Sequence, residues 1–264
     1  MSENEEINNI PASAPEKPAE TAEMSEIATV TGVFFEPGRV FEDLRRKPRF
    51  IIGAVIIALF VTAYGFGLYY KVGDTGMRRF IAEQIDKNPQ TSGMSAEQKS
   101  SAIDLQMTIQ SVIRYALPVV IAISLVIGGL FYFLGSKAFG GNGNFMHALS
   151  VWIYSSIPPT VIGTIGSLIV MAIKSADEID IAASQRGLIQ ANPSMLIDGK
   201  AMPIVATLLA TLDLFMIWGW VLAAIGLRIT NRLSTGSAWA VVIIIGLIGV
   251  LMRIVGAIFS GNPS

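Results

Sequence analysis

Apolar residues in this chain gather into five runs, 50–70, 117–139, 145–173, 203–227 and 238–259, with polar stretches between them. A helix needs about 20 such residues to cross a bilayer core of roughly 30 Å. Five separate runs of that length are not the pattern of a soluble bundle, whose helices carry one apolar stripe each. The expectation is an all-α, polytopic membrane protein with five transmembrane helices. Pro118 and Pro203 fall in the expected opening turns of the second and fourth runs, where the missing N–H has no partner to lose.

The polar stretches predict less regular pieces. Residues 1–33 open with seven Glu against Lys17 alone in the first thirty positions, spaced by Pro, Ala, Ser and Asn. Such a segment buries too little apolar surface to offset its ordering entropy and reads as a disordered acidic tail. Residues 34–49 form an amphipathic, basic segment: Pro37 starts a helix, Val40, Phe41 and Leu44 share one side, and Arg45, Arg46, Lys47 and Arg49 follow. These bases are candidate lipid-headgroup contacts, either in a helix lying in the interface or in a simple anchor before the first span. Residues 50–260 then form the membrane domain. Between its first two spans, Ser95, Glu97 and Gln98 resemble a capping box ahead of an amphipathic run.

Composition agrees with this division. Hydrophobic residues are 52% and charged residues 15% of 264, and the mean hydropathy is +0.56. Soluble domains average about 45–50% and about 25%. There is no cysteine, which removes disulfides and thiolate chemistry. Counting Lys and Arg over short flanks favours a cytoplasmic N-terminus, and an odd number of spans then puts the C-terminus outside the cytoplasm.

Catalytic groupings are absent from the pattern. His147 is the single histidine and has no Cys or second His to share a metal. Ser155, Ser156 and Ser167 have no base beside them in sequence, and one membrane carboxylate does not make an aspartyl dyad. The glycine-rich GGNGN turn lacks the Lys of a phosphate loop. No enzyme activity, cofactor or metal is expected. Two features remain as candidate sites. Pro158 and Pro159 sit within the third run and release the carbonyls of Tyr154 and Ser155, so a kink is expected there, either purely structural or part of a substrate or ion site. Asp213 and Arg253 are the charges of the last two runs. They lie equally far, 20 residues, from Leu233 at the centre of the connecting loop, so a simple hairpin brings them to one depth and predicts an inward-facing ion pair.

GGNGNFMHALSVWIYSSIPP, followed by LDLFMIWGWVLAAIGLRITNRLSTGSAWAVVI, resembles the membrane domain of the Yip family, the Ypt/Rab-interacting proteins, in its bacterial branch. VFFEPGRVFEDLRRKPRF is similar to the Phe-Pro-Phe lead-in before the first span of that branch. The resemblance covers 34–259 and implies a five-span bundle with a cytoplasmic N-terminus. Eukaryotic relatives act in vesicle traffic and bind prenylated small GTPases; no activity carries over from the bacterial branch. The reading is therefore a non-enzymatic protein of a bacterial plasma membrane, acting in membrane organisation or partner assembly. The alternative is a small transporter or lipid-handling channel built on the kinked third span and Asp213. Its expected partners are the lipid bilayer and a membrane protein or second copy of the chain, with no nucleic acid.

Overall fold

The computed structural model describes residues 23–88, 91, 93–184, 187–189, 191–199 and 201–260. Helices α1 (Glu26–Phe35) and α2 (Pro37–Arg46) precede the first span. The expectation of a disordered tail to residue 33 is corrected from Glu26 onward, and residues 1–22 lie outside the described residues. Ser25 caps α1 by accepting the Ala28 N–H, Glu26 sits favourably in the first turn, and Thr29 and Val33 are buried. The acidic composition upstream concealed this short apolar segment.

Helix α3 (Ile51–Lys87) does not stop at 70 but continues beyond Gly73, whose φ of 71° and ψ of 175° break its course. Helix α4 (Ala96–Ala138) has 43 residues, about 65 Å at 1.5 Å per residue, twice what a bilayer core requires. It starts at the capping box of Ser95 and Gln98 and runs through Pro118, which lies inside the helix and not in an opening turn. The polar part of α4 pairs with the end of α3 through Arg78–Asp104 at 2.7 Å and Lys99–Asp86 at 2.6 Å. The result is a helical hairpin projecting from one end of the bundle, here the hairpin end. At its base the Arg114 guanidinium lies 3.2 Å from the centroid of the Tyr69 ring, with Tyr115 and Phe66 edge to face beside it. Such an aromatic and basic belt marks a bilayer interface.

Helix α5 (Phe145–Ile173) is the central helix and touches α1, α2, α3, α4 and α8. It remains helical through Pro158 and Pro159. After it come a 3-10 turn at Ala176–Glu178, the single-turn helix α6 (Ile181–Ser184) and a second 3-10 turn at Pro193–Leu196. The fourth span is broken. Helix α7 (Pro203–Leu209) and a 3-10 turn meet α8 (Leu214–Thr230) at a 52° bend, with Asp213 extended between them. Helix α9 (Thr235–Ser260) closes the bundle. Among the described residues, four helices are long and apolar enough to cross a membrane unbroken, and counting the bent pair as one span makes five.

The opposite end of the bundle, the tail end, is tightly packed. Phe41, Leu44, Val151 and Leu227 are all fully buried there. Helix α2 packs on α8 where Gly226 leaves room, since a Cβ at that position would come within 2.7 Å of Val151 and 2.9 Å of Phe41. The GGNGN stretch is the tight α4–α5 turn. It is pinned to the α8–α9 turn by Asn142 N–H donating to the Asn231 carbonyl (2.9 Å) and Asn231 Nδ2 donating to Ser136 Oγ (2.9 Å).

Candidate functional site

Asp213 ends one helix and begins the next. Its backbone is extended (φ −77°, ψ 130°), and its Oδ1 accepts the N–H groups of Phe215 (2.9 Å) and Met216 (3.3 Å) as the cap of α8. Its Oδ2 accepts from Ala191 N–H (3.3 Å) and Asn192 Nδ2 (2.9 Å), both on the segment between α5 and α7. A carboxylate with four donors is well satisfied, which explains how a charge is tolerated in an apolar run. Depth explains the rest. The 17 residues of α8 span about 26 Å, so Asp213 sits close to the far boundary of a roughly 30 Å core and not at its centre.

Arg253 lies 18 residues into α9, about 27 Å from that helix's start, and so reaches nearly the same depth. The two charged residues line one cavity. The Asp213 carboxylate caps α8 and holds the α5–α7 segment, while Arg253 Nη1 donates to the Met216 thioether at 3.8 Å and the Asp213 charge acts on the Arg253 guanidinium.

The cavity, about 1630 Å³, lies between α3, α5, α8 and α9. Helix α5 contributes a column of hydroxyls at helical spacing, Ser156, Thr160 and Thr164, with Ser155, Pro159 and Ser167 beside it. The Ser155 and Ser156 hydroxyls donate back to the Trp152 carbonyl at 3.1 and 2.7 Å. Of the residues expected around a kink, Ser155 and Pro159 face this cavity and the Ser155 carbonyl also faces Gly219. Tyr154 is fully buried against Gly53 on α3, and Pro158 is buried in the core.

A roof covers the hairpin end of the cavity. Tyr64 donates to the Ser184 carbonyl at 2.6 Å, and Ser167 Oγ accepts Leu188 N–H at 3.0 Å. Together with Asp213 these bonds tie the 176–198 segment to three spans. At its start, the backbone N–H and the hydroxyl of Ser175 hold the Glu178 carboxyl below its usual range. The sequence carries no local signal for these contacts, because each roof bond joins residues from 21 to 120 positions apart.

The basic segment divides in two. Lys47 is exposed and Arg45 is half-buried with Glu42 at 2.9 Å, while Arg46 pairs with Glu23. Arg49 does not face a surface. Its side chain is 12% exposed and pairs with Asp43, which is 3% exposed and also accepts the N–H groups of Glu23 (2.6 Å) and Met24 (3.1 Å). The buried role of Asp43 had no sequence signal, since it sits next to Glu42 in an apparently solvated stretch. His147 caps α5 with Asn144, and its Nε2 is 3.0 Å from the Arg45 carbonyl.

Residues 31–256 match the Yip1 domain. The chain belongs to the Yip1 domain family. One relative within reach of the whole chain is the membrane protein YknW of Bacillus subtilis (strain 168), 29% identical over 242 residues, covering 90% of this chain and 91% of that protein. No solved structure matches the chain significantly. The Yip1 domain here is an integral, multi-pass membrane domain, and both its tight tail end and its roofed cavity lie within the matched residues.

Proposed function

We propose that this Yip1-domain chain is a non-enzymatic membrane protein that binds, and passes along the bilayer, an amphipathic molecule held in the cavity between α5, α8 and α9. The observation that carries this reading is the convergence of Asp213, Arg253 and the α5 hydroxyls on one large cavity. Its wall also includes Phe131 of α4 and Met252 of α9, which are 47% and 70% exposed on the outer, apolar face of the bundle. A ligand therefore has a route from the hydrocarbon between α4 and α9, and charged membrane residues are functional candidates by default. The basic cluster before α3 favours a cytoplasmic N-terminus, and the bacterial relative favours a plasma membrane.

Photo-crosslinkable lipid analogues added to membranes containing the full chain test this reading. Labelling is expected at Trp152, Gly249 and Met252, and labelling confined to the outer faces of α3 and α4 would overturn it. A second reading, partner assembly, is favoured by one feature. The projecting hairpin exposes Leu105 and Val112 (61% and 63%) beyond the length of a bilayer core. Crosslinking of this hairpin to a specific membrane protein, together with no labelling of the cavity, would put that reading first.

A further inference from the structure

The charged side chains around the cavity are already committed within the protein, and the groups left for an occupant are uncharged; the inference rests on reading the cavity as a ligand site. Asp213 has its oxygens occupied by four donors. Arg253 donates to Met216, and the Asp213 charge acts on it. Asp180 and Asp198 accept the N–H groups of Ala183 (3.2 Å) and Ala201 (3.3 Å), and each has a further interaction in the protein. These four are the charged residues among the described lining. An ionised headgroup would meet no uncommitted counter-charge there, and an unpaired charge among the spans is costly.

Hydroxyls on the spans behave differently from one another. Several turn back to the carbonyl one turn earlier: Ser124 to Val120 (2.9 Å), Ser150 to Met146 (2.8 Å), Ser156 to Trp152 (2.7 Å) and Thr230 to Gly226 (2.9 Å). That is the local way for a helix to satisfy a hydroxyl. Thr160, Thr164 and Tyr132 do not take it. No described residue bonds their hydroxyls, and all three line the cavity. Thr62 of α3 is unbonded as well but lies outside that lining. Tyr132 is 3% exposed, so an unbonded phenol there is costly unless the cavity supplies its partner.

Helix α5 sets the order of these groups. The Tyr132 ring centroid lies 5.1 Å from that of Trp152. Thr160 follows Trp152 by eight residues, about 12 Å, and Thr164 stands one turn farther toward the roof, about 6 Å. Between the two threonines Gly163 leaves the wall open, since a Cβ there would meet nothing within 4 Å. Trp220, Ile248 and Met252 bring apolar surface to the same cavity. A hydroxyl both donates and accepts, which suits hydroxyl and ester groups. A bare hydrocarbon would leave all three hydroxyls unmatched. The volume, about 1630 Å³, exceeds the roughly 300–1,000 Å³ of ordinary small-molecule pockets, as a chain with its polar end requires.

We infer that the cavity takes an uncharged amphiphile with hydroxyl and ester groups, an acylglycerol in class, whose polar end bonds Thr160 and Thr164 beside Gly163 and whose chain lies against Trp220, Ile248 and Met252. Tyr132 offers a further bond toward the tail end.

Photolabelling of the full chain reconstituted in phosphatidylcholine vesicles tests this assignment. The probes share one chain length: a monoacylglycerol, a lysophosphatidylglycerol, an alkylamine and a plain alkane. Labelling at Gly249 and Met252 is read by peptide mapping against labelling on the outer face of α3, which corrects for partition. The monoacylglycerol is expected to label the cavity at least tenfold more than either charged probe. Thr160→Val with Thr164→Val should lower its labelling about tenfold, the worth of one to two net hydrogen bonds, and leave alkane labelling unchanged. Neither hydroxyl bonds the protein, so this variant should fold as the parent does. If it does not, Tyr132→Phe, expected to lower monoacylglycerol labelling severalfold, decides together with the probe comparison in the parent. Equal cavity labelling by charged and uncharged amphiphiles, with Gly249→Phe still abolishing it, overturns the assignment and leaves the cavity reading standing. Monoacylglycerol labelling indifferent to the loss of both threonine hydroxyls does the same. Labelling untouched by Gly249→Phe overturns both. Displacement of the monoacylglycerol by free glycerol at a similar concentration overturns the lipid as the source.

Discussion

The two ends of this bundle are built on opposite principles. At the tail end, helices meet at glycine, side chains are sealed and polar groups are locked inside: Asp43 with Arg49, and Asn231 with Ser136. At the hairpin end, the same spans diverge around a cavity whose polar groups line open space under a roof. Gly135 of α4 lies against Val241 and Ile245 of α9, whereas farther along α9 a Cβ at Gly249 would meet nothing within 4 Å. The bundle is thus clamped at one end and hollow at the other. In an apolar solvent such a shape needs interhelical packing and satisfied polar groups at the closed end, because lipid competes for every apolar face.

The largest effect is expected at the clamp. Asp43→Ala leaves the buried Arg49 with only the half-exposed Glu26 carboxylate, 3.8 Å from its Nε, and it removes the acceptor of two backbone N–H groups. Breaking such a buried pair costs about 3–5 kcal/mol, read as a loss of folded yield and of thermal stability in detergent. Asp43→Leu with Arg49→Met should lose far less, because removing both charges leaves none uncompensated. Equal losses for the single and double variants would show that the tail end is held by shape and not by this pair.

Next comes the pin between the turns. Asn231→Ala takes the Asn231 side chain from Ser136 and from Thr230, all three of them buried, at a cost of about 1–3 kcal/mol. Thermal unfolding should show the loss, while lipid labelling of the cavity should persist in the folded fraction. If cavity labelling falls in step with stability, the two ends are coupled and the clamp helps to set the shape of the cavity.

These two sites also mark the limit of what the sequence disclosed. The helical class, the five apolar runs and the Ser95 capping box were legible because each depends on neighbours within a few turns. The GGNGN turn was legible too, for the same reason. Asp43, Arg49 and Asn231 were not, since Asp43 reaches back 20 residues to Glu23 and Asn231 reaches 95 residues to Ser136. Asp213 stands between these cases. Its presence in an apolar run announced a candidate site, its equal spacing with Arg253 from Leu233 pointed to one depth, and the two residues line one cavity. What the spacing could not disclose was the bend, because the donors that stabilise it come from Ala191 and Asn192 on a distant, irregular segment.

The bend itself gives a smaller effect that is specific to the hollow end. Asp213→Asn keeps an N-cap acceptor for Phe215 and Met216, whereas Asp213→Ala removes it along with the hold on Ala191 and Asn192. The cap alone is worth about 0.5–2 kcal/mol. Asp213→Ala should therefore speed hydrogen exchange in α7 and the roof without disturbing α2 or the Asn231 pin. Exchange that rises equally at both ends would abolish the contrast between them.

The smallest effect on stability should come with the largest on binding. Gly163 on α5 and Gly249 on α9 both line the cavity, and a Cβ at either would meet nothing within 4 Å. Replacing glycine within a helix also removes a conformational penalty of roughly 0.5–1 kcal/mol relative to alanine. Gly163→Phe and Gly249→Phe should then leave thermal stability unchanged or slightly raised while filling the space an acyl chain would use. Gly226→Phe is the matched control at the clamped end, where Val151 and Phe41 leave no room and folding should fail. If the fillers at 163 and 249 unfold the protein as Gly226→Phe does, the space at the hairpin end is not there to be filled, and the two ends are packed alike.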